Sequence, residues 1–169
     1  RRPDLGELEK VRFNVLMRNT HYRVLNTTQK MDEDAKTAYF HKTLGGYHGA
    51  KMKKYQELID FELGIEHYQL RQAFAQGGER MVKQMLPQMN VTNMLNAKYI
   101  IGLEKAGDKP VQTLVRNDNA LGNAWFVKSH QFVSNADEEI MALQNLDARQ
   151  EAVVREEYRY QIQGVGSAG

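Results

Sequence analysis

The stretch HKTLGGYHGAK gathers side chains of wide chemical range: His41, Lys42, Tyr47, His48 and Lys51 around the pair Gly45 and Gly46. Two glycines in sequence let the backbone take positive φ and turn tightly, so the rings of Tyr39, Phe40 and His41 are expected to fold back over the helix that follows. If that helix begins near Gly46, its free N–H groups and partial positive charge suit a phosphate or carboxylate, with Lys42 and Lys51 adding charge. The same residues also describe an ordinary tight turn with packed aromatics and a solvated lysine face, since neither a Walker nor a GxGxxG pattern is present. His41 and His48 are seven apart, not the three or four that put two ligands on one helical face, so no metal is expected there, nor any other cofactor. A second candidate is Asn123 with Trp125, because an indole beside an amide can stack on a sugar and hydrogen-bond its hydroxyls. Its competitor is a half-buried core tryptophan: strand alternation puts Trp125 and Phe126 on opposite faces, and one of them belongs inside.

Nucleophilic catalysis has no support. There is no GxSxG, and Ser129, Ser134 and Ser167 stand in no recognisable elbow. Cysteine is absent, which removes thiolate nucleophiles, disulfides, cysteine-ligated zinc and iron–sulfur clusters. The acidic residues are scattered and single out no general acid–base pair. A net charge of +2 is too small to define a nucleic-acid surface. No apolar run approaches the roughly 20 residues of a membrane helix. The 169 residues suit one domain, residues 1–163, with a flexible tail at 164–169. Opening on Arg1, the chain reads as a piece excised from a longer protein.

The elements that must position these groups follow from periodicity. Leu5, Leu8, Val11 and Val15 predict a helix over 4–18, and HYRVLN a strand over 21–26. From Tyr47, a stripe of Met52, Tyr55, Leu58, Ile59 and Phe61 predicts the central helix, with Gly64 as a break. A helix over 65–75 is expected to end at Gly77 and Gly78. The stripe Met81, Val82, Met85, Leu86 and Met89 predicts another, filled by flexible methionines and stopped near Met85 by Pro87. After one or two helical turns over 90–97, KYIIGL and VQTLV predict a hairpin about a turn at 104–110, then a long strand over 123–133. Asn135 with Glu138 reads as a capping box for a helix over 136–146, and 151–160 alternates as a last strand. Grouped elements of this kind predict an α+β fold: a mixed or mainly antiparallel sheet of about five strands with helices packed on one face.

Five blocks, YRVLN from Tyr22, YFHKTLGGYHGAKMKKYQELID from Tyr39, NMLNAKYII from Asn93, NALGNAWFV from Asn119 and NADEEIMAL from Asn135, together resemble the extracytoplasmic portion of YfhO-like bacterial membrane proteins, especially the versions found in Bacteroidetes. The likeness covers roughly residues 20 to 157 in unchanged order. It implies a soluble segment on the outer side of the cytoplasmic membrane, carried by a polytopic parent similar to lipid-linked-sugar glycosyltransferases. The catalytic acid of such enzymes lies in a loop with no counterpart here, so this segment is expected to be catalytically silent. The family continues into a further β-rich section, which leaves open whether the last strand is paired within this chain. The implied partners are the parent's own transmembrane portion and a glycan or polyisoprenyl-phosphate lipid, not nucleic acid. The implied function is accessory binding of such a ligand; the alternative is a noncatalytic structural or protein-interaction module.

Overall fold

The computed structural model describes residues 21–31, 33, 37–38, 41–46 and 53–162. The helix expected over 4–18, Tyr39, Phe40, the onset of the central helix with Tyr47, His48 and Lys51, and the tail at 164–169 lie outside them.

Among the described residues the fold is α+β, but its strands form two sheets, of three and two strands, not one sheet of about five. Strand β1 (Arg23–Asn26) runs parallel to β2 (Ala97–Ala106), which pairs antiparallel with β3 (Lys109–Arg116). The expected hairpin is present with a shorter turn. Pairing continues to Ala106 opposite Lys109, and Gly107, at φ 64°, makes the reversal with Asp108. Among the described residues strand β4 (Ser129–Val133) pairs only with β5 (Glu151–Arg155), in parallel. Helix α4 (Ala136–Leu143) makes the crossover, as parallel neighbours require. The last strand is therefore paired, and after Arg155 the chain turns helical, through a 3₁₀ turn into α5 (Arg159–Ile162).

The strand expected over 123–133 begins only at Ser129. Gly122 takes φ 85°, and the segment from Ala120 to Val127 has no regular structure. It is held by separate bonds: Leu121 N–H to Asn93 O at 3.0 Å, and Trp125 Nε1–H to Ala148 O at 2.6 Å. This break separates the two sheets.

The central helix does not stop at Gly64. Helix α1 (Lys53–Leu58) passes through a π-helical turn (Ile59–Leu63) directly into α2 (Gly64–Met85). A Cβ at Gly64 would lie 2.8 Å from the Ile59 carbonyl oxygen, so glycine is what permits the wide turn. Gly77 and Gly78 end the first part of α2 as expected: two helical segments meet at a kink there. Gly78 takes φ 60° and ψ −153°, and the restarting helix donates Glu79 N–H to the Glu104 carboxylate of β2 at 3.0 Å. The stop at Met85, with Pro87 in the following 3₁₀ turn (Leu86–Gln88), is as expected. Helix α3 (Asn90–Met94) is a single short piece.

The core lies between α2 and the three-stranded sheet. Leu70, Phe74 and Val82 of the helix face Leu25, Ile100 and Val115 of the strands, all buried. At Gly102 a Cβ would meet the Phe74 ring at 2.1 Å, so the sheet needs glycine where that ring lies flat against it. The capping box forms as expected: Asn135 Oδ1 accepts from Glu138 N–H at 2.9 Å. The Glu138 carboxylate in turn accepts from Ser134 N–H at 2.8 Å. The methionine stripe also packs as expected, Met81 and Met85 against the core and Met89 within it.

Candidate functional site

The glycine segment folds onto the edge of β1. Thr43 bridges Val24 in parallel, with Val24 N–H on Lys42 O at 2.8 Å and Leu44 N–H on Val24 O at 3.0 Å. Gly46 takes φ 118°, as a Gly-Gly turn permits. Its N–H donates to Met31 O at 2.6 Å, and Gly45 N–H to Thr43 Oγ1 at 3.1 Å. Both glycine amides are thus donated within the fold and do not point at an anion. His41 is half-buried and Lys42 exposed. From α1, Tyr55 O–H donates to Leu44 O at 2.7 Å. Burial raises the Tyr55 pKa against the opposing effect of Arg23 nearby. Within the described residues this segment latches α1 to the first sheet.

Trp125 occupies a different setting. Its side chain is partly open, at 36% exposure, and lines a cavity of about 310 Å³ with residues of α1, α3, α4 and β5. Leu58 of α1, Met94 of α3, and Ile140 and Leu143 of α4 form apolar walls with Val127. Lys54, Glu57, Glu139 and Glu151 also line it, and Lys54 Nζ stands 3.9 Å from Glu139 Oε2. Lys53 pairs with Glu57 at 3.5 Å, so three carboxylates against two ammonium groups leave the rim with one net negative charge. That charge disfavours a bound phosphate and favours a neutral ligand with hydroxyls to donate. Apolar walls with a few converging polar groups, at the small end of the roughly 300–1,000 Å³ typical of ligand pockets, fit one sugar ring or a comparable group.

Neither Trp125 nor Phe126 is in the core. Phe126 stands fully in solvent at 102%, because no strand exists there to alternate. Asn123 does not line the cavity; its Oδ1 accepts from Asn96 Nδ2 at 3.0 Å and braces the loop from behind. The sequence reading pairs it with Trp125 for chemistry, while the structure uses it for support.

An asparagine network missed by periodicity does most of that bracing. Asn117, fully buried, donates Nδ2–H to Asn93 Oδ1 at 2.8 Å and to Ala97 O at 2.9 Å, and its Oδ1 accepts from Asn119 N–H. Asn93 in turn donates to Leu86 O. Asn96, at φ 57°, holds His21 O as well as Asn123. Unusual asparagine density over 90–96 and 117–123 was the available signal. Such buried, satisfied amides hold a loop in one arrangement.

Among the described residues no group of three or more His, Asp or Glu is placed to hold a metal ion, and no helix is long and apolar enough to cross a membrane. No protein family matches this chain, and no curated protein or solved structure matches it significantly.

Proposed function

We propose that this chain is an extracytoplasmic accessory domain of a membrane glycosyltransferase-like protein, and that it binds a neutral glycan, or the sugar end of a lipid-linked donor, at Trp125. The observation that carries the reading is the half-open indole lining a small apolar cavity with a carboxylate rim. Its membrane setting rests on the likeness of five sequence blocks to YfhO-like proteins. Within this reading the domain binds and presents; bond cleavage belongs to the parent.

Titration with neutral cell-envelope oligosaccharides, followed by the fluorescence of Trp125, the only tryptophan, gives a saturable change. The affinity measured by calorimetry is lost in Trp125→Ala and kept in Lys42→Ala, while polyisoprenyl phosphate alone does not bind. Absence of saturable binding to any oligosaccharide sinks the reading. A second reading then stands, a noncatalytic module that packs on its own membrane portion or on a neighbouring envelope protein. It is favoured by the exposed Phe61, Ile65 and Tyr68, which recur on one helical face, and by Phe126.

A further inference from the structure

A second cavity, of about 420 Å³, opens beside the first and shares Leu146 and Ala148 in its walls. Its chemistry is opposite. From one side come Gln88 and Asn90, and from the segment after α4 come Gln144, Asn145, Asp147 and Arg149. Gln88, Gln144 and Asn145 are exposed and Asn90 is half-buried, so their carboxamides are open to solvent and to a ligand. The two charged members balance and are both tied down. Asp147 Oδ1 accepts from Arg149 N–H at 3.1 Å, and Arg149 Nη2 donates to Asn119 Oδ1 at 2.7 Å. The floor is fixed too, since Asn93 is clamped by Asn117.

We infer that this carboxamide-lined cavity is a second sugar subsite, and that the ligand is a neutral oligosaccharide of at least two units. One unit lies against Trp125, and the next is read through its hydroxyls by Gln88, Asn90, Gln144 and Asn145. The inference rests on the glycan reading above and adds ligand length and a recognition surface to it. The chemistry favours a sugar because each ring hydroxyl both donates and accepts, and a carboxamide offers both functions in one plane. A charged ligand would leave the balanced Asp147 and Arg149 pair without a role in selecting it. An alkyl chain would leave the amides dehydrated and unpaired, a cost that a polyol avoids. The two cavities share the wall residues Leu146 and Ala148, which sets them side by side. Trp125 Nε1 is anchored on that same wall, at Ala148 O.

The test uses the full chain on an array of neutral oligosaccharides of one to four units, with calorimetry on the best binders. Two units or more bind at least about tenfold more tightly than the corresponding single unit, the contribution of one to two added hydrogen bonds. The double variant Gln144→Ala with Asn145→Ala, both at exposed positions, brings the longer sugars down to the affinity of the single unit and leaves the single unit unchanged. Gln88→Ala moves in the same direction. If those variants leave the longer sugars unaffected while Trp125→Ala abolishes binding, the second subsite is wrong and the glycan reading survives. If no member of the array binds, both fall.

Discussion

Glu66 has to reconcile burial with charge. Its carboxylate accepts from Val91 N–H at 2.9 Å, Thr92 N–H at 2.7 Å and Thr92 Oγ1 at 2.6 Å, covering the open start of α3. Burial nonetheless outweighs those bonds, and with Glu62 adding repulsion it raises the Glu66 pKa above the ordinary 4.5. A carboxyl with a raised folded pKa contributes stability that is complete below its unfolded pKa and is lost as pH rises through the folded value. The stability advantage of the wild type over Glu66→Gln therefore shrinks as pH is raised from about 4 to about 7. Urea unfolding at a series of pH values measures it, and an advantage that stayed constant or grew would mean the carboxylate is held charged. One turn earlier, Glu62 is 8% exposed and its Oε1 has no hydrogen-bond partner among the described residues. An unsatisfied buried oxygen costs about 1–3 kcal/mol. Glu62→Met, similar in length and without that cost, is expected to raise stability by about 1 kcal/mol, seen as a higher urea midpoint at unchanged slope; a lower midpoint would show that the carboxylate is satisfied after all.

The long helix illustrates how elements depart from their local signals. Glycine in a helix costs only about 1 kcal/mol relative to alanine, and a buried stripe containing Ile59, Leu63, Leu70 and Phe74 outweighs it. Gly64 therefore becomes a widened turn rather than an end, whereas Gly78, with its non-helical φ and ψ, does divide α2 in two. The apolar spacing was readable, but the outcome depended on what the helix lies against. Gly102 shows the same dependence from the sheet side. Gly102→Ala forces a methyl into the Phe74 ring and is expected to cost about 1–3 kcal/mol or more. Phe74→Leu costs stability by itself but frees that space, so the double variant should lose clearly less than the sum of the two singles. Strict additivity, measured by chemical denaturation of all four chains, would show that the two positions do not press on each other.

For the molecule as a whole, the decisive feature is the 3 + 2 division of the strands. It leaves a seam where α1 and α3 face α4 and β5, and the Trp125 cavity occupies that seam. A ligand seated there touches α1 and α3 on one side and α4 and β5 on the other, and stabilises the native state by mass action, about 2.7 kcal/mol at a hundredfold excess over its Kd. Calorimetry with a bound neutral oligosaccharide should then show one unfolding transition moved to higher temperature. A ligand that shifted only part of a split transition would place the binding site within one layer. The family likeness leaves the pairing of the final strand open, and β5 finds its partner in β4 through the α4 crossover. Pairing of this kind joins residues some twenty positions apart and leaves no mark in the strand's own pattern.

From the order of residues alone followed the α+β class, β1, the hairpin, the capped helix after Asn135, the helix stop at Met85 and the absence of thiol or GxSxG chemistry. These are short-range facts: apolar spacing, caps and turn residues act within a few positions of themselves. Trp125 too was singled out from its type. Its surroundings were not, because Leu58, Met94, Ile140 and Leu143 reach it from three separate helices. Only folding decided that the glycine amides would be spent on Met31 and Thr43, that Asn123 would brace a loop, and that the strands would part into two sheets. Each of those outcomes turns on which distant partner satisfies a backbone or amide group, and a chain does not carry that information in its local spacing.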